Sequence, residues 1–532
     1  MDRVAKVDLG QKLPREAEDG NVEYKIALHR LDEERVERLA SQMKYRLFEG
    51  GGEAIYVLGV DDQGNVIGLS EEEERESISI LEKVSGKIGA KIRILSREIV
   101  QGKRIVRVLV RSSREESPPV QVTVAVVGNV DAGKSTTVGV LCTGQLDDGR
   151  GSSMRRVARY VHEILTGRTS SVTTRLLGFD LGGPPVNWSL PNPLDEAQIF
   201  LASRKVIYFV DVGGHERYLR TALRGILSRE PDYVMLVVAS NAGLQVMGRE
   251  HLGLCLALRL PLIVVFTKTD LVDETVFKRN LEDTLTLLRK LDRKPVLVHT
   301  PQDAHRIAGL ISSGRVVPVL SISNVTGRGL DSLLELLNLL PPRLRWVEKA
   351  GEPVLAYVSD IFNVRGVGLV VAVSILKGAI KEDSTLFIGP LQDGGWKQVR
   401  VKSIHVNRVP VSTARAGEEA TLALSGIDEE EVEKGMVLRT SPAKPIRRIL
   451  ADVLILRHPT TIRVGYQTVL HAYSIRSPVV FEQMGKEPMR TGDRGTVTLK
   501  FLYHPWYIER GERFVLRDSR TRAIGTVLET LE

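Results

Sequence analysis

The apolar positions of this chain change pattern twice along its length. From residue 33 to 48 they recur at helical spacing, between apolar stretches over 24–28 and 54–60 that read as strands. Asp61-Asp62-Gln63-Gly64-Asn65 then predicts a hairpin turn with a return strand through Leu69. A helix over 71–88 and strands over 91–98 and 104–110 complete a small α+β domain, placed at 1–112. Residues 112–119 are polar, end in two prolines and read as a linker. A different pattern follows, in which continuous apolar runs (122–127, 206–210, 262–266 and 316–320) mark parallel strands buried on both faces. This α/β domain is placed at 120–342, ending at Pro341-Pro342. Beyond it helical periodicity vanishes. Short strands over 354–357, 368–375, 385–388 and 399–406, separated by glycine turns, predict a β-barrel at 351–440. After Pro442 to Pro445, strands over 449–456, 468–472, 495–501 and 513–516 predict a second barrel at 446–532.

The first of the buried runs ends in Gly128-Asn129-Val130-Asp131-Ala132-Gly133-Lys134-Ser135 and opens a predicted helix over 134–142. Strand, glycine-rich turn and helix bring backbone N–H groups and a helix N-terminus to one point, which makes an anion site. The pattern is a phosphate loop, with Asn129, Val130, Asp131, Ala132, Gly133, Lys134, Ser135 and Thr136 around the phosphates. Lys134 would reach the outer phosphates and Ser135 would ligate Mg²⁺. The run over 206–210 ends in Asp211-Val212-Gly213-Gly214-His215. There Asp211 would hold Mg²⁺ through water, and Gly214 would let its N–H approach the γ-phosphate. His215 sits where an imidazole could orient the attacking water. The run over 262–266 leads into Thr267-Lys268-Thr269-Asp270. A carboxylate at Asp270 can accept two parallel hydrogen bonds from guanine, a donor pair that adenine lacks. Lys268 can lay its methylenes over the base. Ser323, Asn324 and Val325, after a fourth apolar stretch, could offer backbone N–H groups to the guanine carbonyl. In this order the segments point to GTP.

Gly-x-Val-Asp-x-Gly-Lys-Ser-Thr, Asp-x-x-Gly-His, Thr-Lys-x-Asp and Ser-Asn-x-Thr-Gly resemble the motifs of translational GTPases of the elongation-factor type. Gly167 to Val172, Leu177 to Asp180, Ser240 to Gly243, His251 to Leu254, His458 to Ile462 and Arg490 to Asp493 are similar to the GTP-binding-protein-one family in particular. The resemblance covers essentially the whole chain. It implies a multidomain protein: an α+β N-terminal domain, an α/β P-loop GTPase domain and two C-terminal β-barrels. It also implies a GTPase stimulated by the ribosome, using Mg²⁺ and cycling between GTP and GDP. Thr169 is the expected second Mg²⁺ ligand, with Thr173 and Thr174 as rivals. Two positions depart from the elongation-factor pattern. Thr267 stands where Asn is usual, removing an amide that would brace the nucleotide pocket. Arg168 replaces the apolar residue of the first switch.

Three roles stay open: delivery of aminoacyl-tRNA or another RNA to the ribosome, a GTP-dependent adaptor in ribosome rescue or mRNA decay, and a regulatory GTPase with protein partners only. Composition narrows the setting. A chain of 532 residues with 42% apolar residues supports several cores rather than one. No apolar run reaches membrane-spanning length, and the first residues lack a signal-peptide core, so a cytoplasmic monomer with no membrane partner is expected. Cys142 and Cys255, both in apolar helical contexts, read as buried thiols. A net charge of +8 suits an RNA partner. Between Lys134 and Asp211 lie Arg150, Arg155, Arg156, Arg159 and Arg168, with a helix predicted over 152–165. That helix is either a solvated face or an RNA-facing switch ordered by GTP. Residues 184–193, with four prolines and two asparagines, predict an irregular, mobile segment.

Overall fold

A computed structural model describes residues 13, 15–16, 20–29, 32–100, 102–113, 118–158, 173–211, 231–343, 346–518 and 520–531. They fall into two compact units, the second taking up the chain at Trp346.

The first unit begins with a four-stranded sheet in the spatial order Val22–Lys25, Glu53–Leu58, Lys103–Ser112, Ala90–Val100. Helices Glu33–Glu49 and Glu71–Lys87 cover one face. Asp32 caps the first, and Ser70 with Glu73 forms a reciprocal capping box on the second, so both satisfy orphan N–H groups. Val36, Leu39, Met43 and Leu47, spaced three or four residues apart, bury against Tyr56, Leu58, Val106 and Val108. The predicted hairpin after Val60 shrinks to isolated bridges, Val60 to Val66 and Leu69 to Arg104. Gly59 and Gly68 flank it at left-handed φ of 89° and 86°, a backbone that breaks an extended ladder.

Strands buried on both faces build the nucleotide domain. Its seven-stranded sheet runs Lys294–Val298, Val316–Ser321, Leu262–Thr267, Tyr233–Ala239, Val120–Gly128, Lys205–Asp211, Thr173–Phe179. All neighbours are parallel except the last pair. Leu95 and Leu109 of the N-terminal sheet join the core of this domain, while the helices on that sheet's other face cover a separate core.

Three ion clusters, the first of them fully buried and the others partly so, lie where the two domains meet. Glu53 takes Arg111 (2.8 Å) and Lys205 (2.6 Å), all three side chains being almost fully buried. Glu335 takes His305 (2.8 Å) and Arg93 (3.2 Å). Glu98 takes Arg107 (2.6 Å) and Arg306 (3.3 Å).

Residues 184–193 are irregular as expected, but they are tied to their surroundings rather than loose. Val186–Ser189 forms a 3-10 turn, and the fully buried Asn187 ties it down. Its amide accepts from Gly178 N (2.8 Å) and donates to the Leu176 (2.9 Å) and Pro193 (2.8 Å) carbonyls. A polar side chain that completes three buried bonds outweighs the local tendency of proline-rich chain to stay open. The helix predicted over 152–165 ends at Val157, where Ala158 is extended. Its continuation, with Arg159 and Arg168, lies outside the described residues.

The second unit is all β. Leu355–Val364, Gly368–Lys377, Glu419–Ser425 and Lys397–Val406 pair in sequence across space. Thr385–Gly389 closes the ring by pairing with both Lys397–Val406 and Val437–Arg439. The second barrel is also closed, in the order Arg448–Arg457, Arg494–Phe501, Ile475–Met484, Gln467–Ala472, Arg513–Arg517, Arg522–Leu531. Closure removes the exposed edges that short strands would otherwise present.

Candidate functional site

Everything proposed for nucleotide contact in the described residues lies at the C-terminal ends of the central parallel strands, where open α/β sheets hold ligands. Strand Val120–Gly128 ends against its neighbour so closely that a Cβ on Gly128 would come within 2.2 Å of the Val237 carbonyl oxygen. Only glycine fits there. Asp131 (φ 58°) and Gly133 (φ 89°) then turn the loop through left-handed backbone. Helix Lys134–Thr143 starts at Gly133 with no side-chain cap, so its first N–H groups remain available to an anion.

Lys134 is buried, and its ammonium donates to the Asn129 carbonyl at 2.7 Å. Burial pushes its pKa down, and the charges of Asp211 and Asp131 oppose that shift. A cation held in this cradle is the complement of a phosphate. Ser135 Oγ donates to Asp211 Oδ2 at 2.5 Å, so the hydroxyl and the carboxylate expected at Mg²⁺ share one spot. That donor set, an alcohol and a carboxylate oxygen, suits a hard cation. The residues present therefore fit both GTP phosphates and Mg²⁺.

Thr173, buried at the start of the edge strand, stands opposite Asp211 in the antiparallel register. It lines one small cavity with Ser135, Asp211 and Arg175. Thr174 pairs one step further along, with Val210. Thr169, Gly214 and His215 lie outside the described residues.

The guanine segments meet at the next strands. Asp270 is exposed, and one of its oxygens accepts from Ser323 Oγ at 2.6 Å. The same hydroxyl oxygen accepts from the backbone N–H groups of Thr326 (3.0 Å) and Val325 (3.3 Å). Ser323 therefore fixes the carboxylate and the loop together. Asn324 is buried, and its amide donates to Thr137 Oγ1 (2.9 Å) on the phosphate-loop helix. Lys268, at φ 59°, lies beside Asp131 and Ala132 along a cavity of about 260 Å³. Thr136 is half-buried in the first turn of the helix, and Val130 lines the same cavity as Lys268.

Thr267 corrects an expectation. The brace expected to be lost with the usual Asn is present, because Thr267 Oγ1 donates to the Ala132 carbonyl at 2.6 Å. The β-branched side chain sits against Gly133, where a Cβ would meet Oγ1 at 3.3 Å. Asn129 supplies a second brace that its motif position did not reveal. Its carboxamide accepts from Gly248 N (2.5 Å) and donates to Gln245 Oε1 (2.8 Å), joining the loop to helix Val246–Ala257. Such ties pair residues more than a hundred positions apart, so no local spacing signals them. Cys142 and Cys255 are both buried, and burial pushes each thiol up to about 12.

Residues 120–342 match the family model for the elongation factor Tu GTP binding domain, and 368–439 match elongation factor Tu domain 2. The chain is 39% identical to GTP-binding protein 2 of Homo sapiens, covering 97% of this chain and 88% of that protein. It is also 39% identical to GTP-binding protein 1 of Xenopus laevis, over 98% of this chain and 81% of that protein. Elongation factor 1-alpha of Pyrococcus abyssi is 26% identical over 77% of this chain and 92% of its own. Among solved structures, a bacterial selenocysteine-specific elongation factor matches with a TM-score of 0.55 at 21% identity. That match covers 77% of this chain and 59% of the other, and it speaks to fold alone.

Proposed function

The chain belongs to the GTP-binding protein 1 and 2 family, GTPases of the elongation-factor type, and from that premise we propose that it is a GTP-driven switch acting on the ribosome and carrying aminoacyl-tRNA. The observation that carries the reading is the combination of a braced GTP site with two closed barrels in one chain. The relatives named elongation factors support the same combination. In this reading the backbone from Asn129 to Thr136 holds the phosphates together with Lys134 and the N–H of Gly214. Ser135 and Asp211 hold Mg²⁺, with Thr169 as the switch ligand. Asp270 reads guanine, Thr267, Lys268, Ser323, Asn324 and Val325 frame it, and His215 orients the attacking water. When bound, Mg²⁺ neutralises charge on the transferring phosphoryl group. The protein works as a monomer in the cytoplasm.

A second reading, an adaptor in ribosome rescue or mRNA decay with decay factors as partners, draws on the N-terminal domain. That domain is anchored to the GTPase domain by three ion clusters, one of them fully buried, which offers an extra surface held in place. One experiment separates the readings. The full chain, loaded with a non-hydrolysable GTP analogue or with GDP, is mixed with charged tRNA and with ribosomes. Delivery predicts salt-sensitive, GTP-dependent capture of charged tRNA. Ribosome-stimulated hydrolysis without tRNA capture selects the adaptor, and neither response means a regulatory GTPase with protein partners.

A further inference from the structure

At the opposite end of the nucleotide sheet from the phosphate loop is an open concavity of about 560 Å³. Four separate stretches of chain build it: the end of helix Glu274–Lys290, the turn into strand Lys294–Val298, the end of helix Pro301–Ile311 and the turn into strand Val316–Ser321. Arg289, Arg293, Lys294 and Arg315 line it, with Asp292 as the one acidic residue among its lining groups. Arg289 is engaged by Glu282 at 2.8 Å. Among the described residues, Arg293, Lys294 and Arg315 have no carboxylate partner, although charges that serve only solubility gain from alternating with the opposite sign. Three uncompensated cations facing one hollow concentrate positive potential there.

We propose that this concavity docks the phosphate backbone of RNA. Guanidinium groups meet phosphates through paired, charge-assisted hydrogen bonds, and the single ammonium adds a point charge. An acidic peptide is the lesser fit. Such a peptide would gain most by adding a strand along the free edge of Lys294–Val298. Lys294 N–H points inward, to the Arg315 carbonyl at 2.8 Å, so the next residue along the strand faces outward. That residue is Pro295, which has no N–H to offer an added strand. The choice of RNA rests on the translational reading, but the site lies apart from every residue assigned to GTP.

The test is binding of a labelled single-stranded RNA, and separately of polyglutamate, to the full chain across a salt series. The variants are R293A/K294A/R315A and the charge-keeping R293K/R315K. At about 0.7 units of log–log slope per phosphate contact on a single strand, losing three cations should flatten the salt dependence by about two units. RNA affinity at low salt should fall by about tenfold or more, GTP affinity should hold, and R293K/R315K should recover most of the loss. Unchanged RNA affinity and slope in the triple variant would overturn the inference. So would loss of polyglutamate binding with RNA binding intact, which would mark the hollow as an acidic-peptide site. Ribosome-stimulated hydrolysis by the unmodified chain, read alongside, fails only if the translational reading itself is wrong.

Discussion

Thr267 and Asp270, three residues apart, do different work on the same ligand. Thr267 is fully buried, and its hydroxyl satisfies the Ala132 carbonyl of the phosphate loop. Thr267→Val keeps the shape and orphans that acceptor, a cost of about 1–3 kcal/mol. GTP affinity should fall by about tenfold, with recovery in Thr267→Ser, as read by nucleotide titration. Asp270→Asn should weaken GTP and favour xanthosine triphosphate, whose ring carbonyl suits an amide donor. Equal GTP affinity in that variant would move guanine recognition elsewhere. His215→Ala should leave GTP binding within a few-fold and lower ribosome-stimulated hydrolysis by roughly 10²-fold, the scale of a lost proton-handling group. Residue types and motif order located these positions in the sequence. The hydroxyl brace was not legible, because it depends on how closely strand Leu262–Thr267 approaches the loop.

The segment around Asn187 shows how an element can reverse a compositional expectation. Prolines deprive residues 184–193 of regular structure, yet one amide bonds Gly178, Leu176 and Pro193 and pins the turn beneath helix Lys134–Thr143. Trp188 adds to the hold, donating its indole N–H to the Leu141 carbonyl at 2.9 Å. Asn187→Ala leaves two buried groups and one half-buried carbonyl without partners and should cost about 3 kcal/mol, read from the urea midpoint. Asn187→Asp keeps the acceptor for Gly178 but turns a carboxylate oxygen toward the Leu176 and Pro193 carbonyls, so it should cost at least as much as Asn187→Ala. A midpoint for Asn187→Ala equal to wild type would mean that proline stiffness alone holds the segment. Periodicity could not foresee this, since the three partners are a strand N–H and two carbonyls brought there by the sheet.

Across the whole first unit, Glu53 is the pivot between the N-terminal and nucleotide domains. Its carboxylate compensates two buried cations, so Glu53→Gln should destabilise the unit by about 3–5 kcal/mol and open the junction to proteolysis. A protease pattern and urea midpoint equal to wild type would show that the apolar contacts of Leu95 and Leu109 suffice. Lys205 makes the junction pH-dependent. Burial lowers its pKa from 10.5 to about 8, against the pull of Glu53. Between those values the unfolded chain carries a proton that the folded chain has released. The contribution of Lys205 to stability therefore rises with pH through that window and is lowest below it. The urea midpoint of wild type should gain on that of Lys205→Met as pH climbs from about 8 to about 10, and parallel curves would remove Lys205 as the cause.

The pattern of apolar residues by itself determined the class of each region, because buried parallel strands, amphipathic helices and barrel strands impose different periods on the residues they bury. Motif chemistry likewise determined that the chain takes a guanine nucleotide, since few side-chain sets answer a triphosphate and a guanine edge in that order. Strands with polar interruptions were harder to see. Thr173–Phe179 at the sheet edge and Ile475–Met484 in the second barrel carry Thr, Arg, Ser or Gln in positions that only their neighbours make favourable. The tertiary structure alone decided which residues brace the site and how the N-terminal domain is held. Thr267 with Ala132, Asn324 with Thr137 and Glu53 with Lys205 are each more than a hundred residues apart. Their energies come from buried hydrogen bonds and compensated charges, which exist only once the chain has closed those distances and excluded water.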